Sequence, residues 1–202
     1  MYHLTVPFKL SDSEFHELQT FLNKVIHITD NSTIFFDEAT LHQLYSKPFW
    51  TTIVNFVNGY GMTEFQPSIF YYRSDPALIY NKKHIDGNTN VLFPMRFNIL
   101  IKGRPGLTKW WDIDSKSDKI ETTNKISNFY NEKVFNWSTF ELKKEFNNLP
   151  ADYESELLYE IQKYSSFLRT DLLHQNYRKP EWEDRMIFSL QSKQSWDTLN
   201  IL

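Results

Sequence analysis

The chain has 202 residues, of which 41% are hydrophobic and 17% aromatic, a composition that excludes a disordered polymer and suffices for one domain with a substantial core. Lysine and arginine number 22 against 25 aspartates and glutamates, a net charge of -3 that argues against a nucleic-acid partner bound by phosphate neutralisation. Without cysteine, disulfides and thiolate chemistry are excluded, and any metal must be held by nitrogen and oxygen.

Met1-Tyr2-His3-Leu4-Thr5 shows no basic segment followed by an apolar run. No stretch approaches the ~20 apolar residues of a membrane helix, so the expectation is a cytoplasmic protein with no membrane partner. Ser11 or Asp12 is placed to cap a first helix, with Glu14 in its opening turn. Phe15, Leu18, Leu22 and Ile26 recur every three or four residues and predict that helix to about residue 28. A second helical region is predicted over 37–57, interrupted near Pro48, with Leu41, Leu44, Phe49, Ile53 and Phe56 as its apolar set. Asn58-Gly59-Tyr60-Gly61 punctuates the chain.

From Thr63 the pattern turns to strands. Ile69-Phe70-Tyr71-Tyr72 is an aromatic strand-prone run, and 77–86, 95–102, 107–113, 156–164, 167–173 and 185–191 are further strand candidates. The polar connection 114–152, anchored by Phe129, Val134, Phe140 and Phe146, is too long for a bare loop and is expected to form a partly helical cap or side wall. The predicted organisation is one domain over 1–202: helical support over 1–62, then a mostly β body over 63–202 that carries the 114–152 insertion.

His84-Ile85-Asp86 places an imidazole and a carboxylate on one face of an extended segment, because alternate side chains share a face. Gly87 lets the chain turn away, and a second imidazole, His174, follows ninety residues later. Two neutral nitrogens and one anionic oxygen form the ligand set of a non-haem iron(II) centre with open positions, unlike the closed set of a structural zinc site. Arg185, eleven residues beyond His174, offers either a surface ion pair with Glu183 or a buried fork for a carboxylate. Arg96, Asn98 and Leu100 share one face of their strand, where Asn98 is suited either to a bound acid or to a backbone group. Tyr80 and Lys82 share parity with His84 and Asp86. Trp110 and Trp111 must face opposite ways, one as pocket wall and the other as core against the N-terminal helices.

Together with Arg96-Phe97-Asn98-Ile99-Leu100-Ile101, Leu107-Thr108-Lys109-Trp110-Trp111 and Leu168-Arg169-Thr170-Asp171-Leu172-Leu173-His174, the His84-Ile85-Asp86-Gly87 segment resembles iron(II)/2-oxoglutarate-dependent oxygenases. The resemblance runs through residues 70–190 and is closest to the group related to aspartyl/asparaginyl β-hydroxylases. It implies a double-stranded β-helix, a cupin-like jelly roll with the metal between two antiparallel sheets. It further implies Fe(II) on His84, Asp86 and His174, Arg185 on the distal carboxylate of 2-oxoglutarate, and Asn98 and Tyr80 as further cosubstrate-pocket candidates. The implied reaction hydroxylates a C–H bond of an amino acid, peptide side chain or small metabolite, with succinate and CO2 as coproducts. In the β-hydroxylases the carboxylate ligand can be missing; Asp86 matches the wider oxygenase pattern and argues against halogenating members.

Two rivals share these residues. A cupin-like metal enzyme that does not use 2-oxoglutarate keeps the three ligands but does not need Arg185. A non-catalytic β-sandwich binding protein leaves His84 and His174 far apart and Arg185 solvated. The sequence carries no reading of oligomeric state.

Overall fold

Residues 1–26, 32–72, 83–87, 92–104, 106–128, 134–156, 161–177 and 184–200 are described by the structure, a computed structural model. A short strand, β1 (His3–Pro7), leads into α1 (Asp12–Val25). The helix starts on a capping box: Glu14 N donates to Ser11 Oγ at 3.3 Å, and Ser11 N donates to Glu14 Oε2 at 2.9 Å. Leu18, Phe21, Leu22 and Val25 form its buried stripe. After β2 (Ser32–Phe35), Asp37 caps α2 (Glu38–Tyr45) by accepting from Thr40 N at 2.8 Å. Pro48 opens α3 (Pro48–Gly59) at a position where its missing N–H loses no helical bond, and this separates the two helices within the predicted 37–57 region.

The β body follows as β3 (Phe65–Tyr72), β4 (His84–Ile85), β5 (Met95–Lys102), β6 (Leu107–Asp114), β7 (Ile120–Asn128), β8 (Val134–Leu142), β9 (Tyr153–Glu156), β10 (Tyr164–Arg169), β11 (Leu172–Tyr177) and β12 (Arg185–Ser192). Two antiparallel six-stranded sheets result, in the orders β1-β10-β5-β12-β3-β2 and β7-β8-β4-β11-β6-β9. The chain passes repeatedly from one sheet to the other, giving the predicted double-stranded β-helix, a cupin-like jelly roll that is mostly β with N-terminal helices.

Side-chain alternation sorts the core into layers. On the outer face of the first sheet, Ile69, Phe97, Ile99, Phe167, Phe188 and Leu190 pack with Leu18, Leu22, Phe49 and Ile53 of the helices. Each fully buried side chain of this size contributes about 1.5–3 kcal/mol. Leu100, Trp110, Leu168 and Ile187 meet between the sheets. Outside the second sheet, Ile85, Trp111, Ile120, Leu142 and Leu173 form a third cluster, with Phe146 and Leu149 packed against it.

Several sequence expectations need correction. The predicted strand 167–173 breaks at Thr170–Asp171, where the chain crosses between sheets, and the predicted strand 156–164 is a turn at 161–163 before β10 begins. Within the predicted strand 77–86, only His84–Ile85 is a described strand; 77–82 lies outside the described residues. The helical part of 114–152 is a single 3-10 turn, Lys144–Phe146, and most of the rest is the β7–β8 hairpin, which adds a side wall to the second sheet. Trp110 and Trp111 do face opposite ways, but Trp111 packs under the insertion rather than against the N-terminal helices, and its Nε1 donates to the Leu149 carbonyl at 3.0 Å. No helix among the described residues is long and apolar enough to cross a membrane.

Candidate metal centre

β4 and β11 are neighbours, and His84 is the direct register partner of His174. The two imidazole centroids lie 4.5 Å apart. Asp86 follows immediately after β4 and places Oδ1 3.4 Å from His84 Nε2 and 3.8 Å from His174 Nε2. One ligand atom from each residue lies within 4.8 Å of the others, so the sequence-predicted triad forms one compact set of two nitrogens and one oxygen. His84 is half-buried; Asp86 and His174 are buried.

The backbone holds this cluster from both sides. Asp86 N donates to the Thr170 carbonyl at 3.1 Å, Phe93 N donates to the Asp86 carbonyl at 3.1 Å, and Thr170 N donates to the Pro94 carbonyl at 2.8 Å. The β10–β11 crossing is thereby tied to the segment that carries His84 and Asp86. Gly87 has φ 131°, which permits the turn out of β4 that the sequence anticipated. An irregularity in the β11–β6 register falls between Leu172 and His174, the kind of feature that re-aims a side chain.

Protonation follows from the surroundings. His174 Nδ1 lies 2.9 Å from the Leu172 carbonyl, which can only accept, so the ring proton sits on Nδ1 and the Nε2 lone pair faces the cluster. Burial, aided by His84, lowers His174 to about 4, leaving it neutral at pH 7. Burial alone would raise the Asp86 carboxyl. Arg96, His174 and His84 more than offset that effect and hold it well below the usual carboxylate range. The donor set therefore joins the fixed Nε2 lone pair of His174 and the ionised Asp86 carboxylate to the ring of His84, the chemistry that suits a divalent transition metal.

Between the sheets, register defines successive rows on the inner face of the first sheet. Arg96 is paired with Gln191, Asn98 with both Ser166 and Ser189, and Leu100 with Ile187. Ser189 is also paired with Ser68. The Asn98 row is thus polar across four strands, and Ser68, Ser166 and Ser189 are fully buried. Among the described residues, Asn98 Oδ1 and Ser189 Oγ have no hydrogen-bond partner, although both side chains are buried. Such orphaned polar atoms are expected where a polar ligand or water belongs.

Arg185 begins β12 and is buried rather than solvated. It lies six residues from Gln191 along the strand, about 20 Å at strand rise, so it stands deeper between the sheets than the Arg96 row. Its guanidinium reaches the second sheet at Gly106, where a Cβ would collide with Nη1. Tyr80, Lys82 and Glu183 lie outside the described residues. Sequence reasoning missed Arg96 as part of this centre: it forms an ion pair through Nε with Asp86 Oδ2. Its inward parity was the available signal, because a cation facing a core implies an anion nearby.

This arrangement removes one rival reading, since the histidines meet and Arg185 is buried. What remains is a double-stranded β-helix with a candidate transition-metal triad between its sheets. No protein-family model matches the chain, and no curated protein matches it. Among solved structures, HygX from Streptomyces hygroscopicus with nickel and 2-oxoglutarate bound matches with a TM-score of 0.54 at 9% identity, covering 96% of this chain and 83% of that one. The same protein with nickel, 2-oxoglutarate and hygromycin B matches with a TM-score of 0.54 at 8% identity, covering 96% and 83%. Its iron-bound form matches with a TM-score of 0.53 at 10% identity, covering 96% and 82%. At these identities the likeness establishes a shared fold.

Proposed function

We propose that the protein is an iron(II)- and 2-oxoglutarate-dependent hydroxylase acting on a C–H bond of an amino acid, a peptide side chain or a small metabolite. The observation that carries this reading is the convergence of the neighbouring His84 and Asp86 with His174, ninety residues beyond His84, at one point between the sheets. The fold is shared with HygX, a protein solved with iron and with nickel and 2-oxoglutarate, which supports the same choice of metal and cosubstrate. Asn98 Oδ1 and Ser189 Oγ, buried and without partners among the described residues, also suit a space that receives a polar molecule.

His84, Asp86 and His174 would hold the iron on one side, leaving the opposite side for cosubstrate and oxygen. The Leu172 carbonyl keeps the His174 proton on Nδ1 and orients its ring. Arg185 pairs with the distal carboxylate of 2-oxoglutarate and Asn98 donates to or accepts from the cosubstrate; Tyr80, proposed beside them from the sequence, lies outside the described residues. When bound, iron and 2-oxoglutarate would let dioxygen act as the oxidant, one oxygen atom ending in succinate as the cosubstrate loses CO2 and the other converting the substrate C–H to C–OH. On this reading 1–202 acts as one domain, with 1–62 supporting the barrel.

The test is anaerobic loading with Fe(II), addition of 2-oxoglutarate and oxygen, and measurement of succinate across a panel of amino acids, peptides and metabolites. Metal-dependent succinate formation that a substrate stimulates is the expected result. A loaded protein that neither binds nor converts 2-oxoglutarate with any of them would leave the cupin-like metal enzyme as the better reading.

A further inference from the structure

We infer that Arg96 is a positioning residue that makes Asp86 a one-oxygen metal ligand and so keeps coordination positions open. This inference rests on the metal-centre reading but assigns a role to a residue outside the triad. Asp86 divides its two oxygens between different partners: Oδ1 faces His84 and His174 at 3.4 and 3.8 Å, whereas Oδ2 is in contact with Arg96 Nε. A carboxylate with both oxygens free can chelate a cation through both. One with an oxygen engaged by a guanidinium presents a single ligand atom.

The guanidinium is itself fixed. Arg96 lies on the inner face of β5, with Leu168 and Gln191 as its register partners on either side. Its Cζ sits 4.5 Å from the centroid of the Phe70 ring, an arrangement that restrains a planar cation. Its side chain is 12% exposed and that of Asp86 6%, so water competes little for either group. The contact also crosses from one sheet to the other, and thus couples the orientation of Asp86 to the opposite wall of the barrel. Without Arg96, Oδ2 is free to turn onto the metal and take one of its three open positions, so that a chelating acid fills the remaining two and no position is left beside it.

Mn(II)-loaded protein tests this through water-proton relaxation, which counts waters on the ion, measured without and with saturating oxalate, a two-oxygen acid. Arg96→Met is expected to retain Mn(II) but to lower the relaxation enhancement per bound ion by roughly one third, as three open positions become two. With oxalate bound, the wild type should keep one water on the ion and the variant none, so the variant's remaining enhancement should fall to the level of an ion without bound water. Arg96→Lys, which keeps a charged donor at Oδ2, should restore most of both. Should Arg96→Met fail to fold, Arg96→Gln, which is neutral and too short to hold Oδ2, is expected to show the same losses. Wild-type relaxation in the neutral variant, both without and with oxalate, would overturn the role of Arg96 while leaving the metal centre intact. Absence of Mn(II) binding in the wild-type protein would instead overturn the metal centre.

Discussion

The guanidinium of Arg185 occupies the space that a side chain at position 106 would fill: a Cβ built on Gly106 runs into its Nη1. Glycine just before β6 leaves room for the end of the Arg185 side chain, so that a cation from one sheet lies against the backbone of the other. Gly106→Ala should push the end of the Arg185 side chain aside at a cost in stability below about 1 kcal/mol, because a flexible side-chain tip gives way more readily than backbone. Metal affinity should stay near wild type while 2-oxoglutarate affinity falls. Calorimetric titration checks this, and unchanged acid affinity would contradict the placement of Arg185.

Arg185→Ala separates the acid site from the metal site. Loss of a charge-assisted interaction worth about 1.5–3 kcal/mol should weaken 2-oxoglutarate binding by roughly 10- to 100-fold. The metal dissociation constant should move much less, because Arg185 stands deeper in the barrel than the triad. Equal losses in both titrations would mean that the substitution had damaged the fold rather than a carboxylate contact.

Asp86→Ala removes a ligand and also leaves Arg96 buried without its anion. Breaking a buried pair in this way is expected to destabilise the protein by about 3–5 kcal/mol, and iron retention and hydroxylation should both fall. Urea unfolding and metal analysis after gel filtration measure the two effects. Full activity in this variant would reject Asp86 as a required ligand.

The metal-free protein should lose stability on acidification from pH 6.5 towards pH 4. Burial lowers His174 from 6.5 to about 4, so in this window the unfolded chain takes up a proton that the folded one refuses. Stability therefore rises with pH across the window. Asp86, whose ordinary value is 3.8 and which is held lower when folded, is largely ionised in both states there and adds little to the slope until the pH drops further. His3 is also lowered by burial, so the wild-type slope contains both imidazoles. Comparing urea midpoints of the wild type and His174→Gln isolates the buried one: the variant should show the shallower slope, and equal slopes would contradict the assignment.

Much of this architecture was legible because it rests on local patterns. The capping box at Ser11 and Glu14, the stripe of α1, Pro48 at the start of α3, and the alternation in β5 and β12 each have a short-range signature. His84 and Asp86 were legible for the same reason, since one residue separates them and Gly87 marks the turn, whereas His174 was joined to them by residue type and order in the chain. β1 and β2 carry few residues and take their strand character from pairing with β10 and β3, which periodicity does not reveal. The β7–β8 hairpin is polar along much of its length, so its sequence reads as a connection although its backbone pairs over nine positions. The break at Thr170–Asp171 was hidden because apolar residues continue on both sides, and only the tie from Asp86 N to the Thr170 carbonyl explains it. Arg96 was seen to face inward, but its partner comes from the opposite sheet, and a contact across sheets leaves no spacing in the chain.

Titration of the metal-free protein with Co(II), followed by visible absorption, tests the central claim most directly. The account predicts one equivalent bound with the spectrum of a nitrogen- and oxygen-ligated ion, and loss of that spectrum in both His84→Ala and His174→Ala. Failure of the wild type to bind Co(II), or an unchanged spectrum when both imidazoles are removed together, would contradict it.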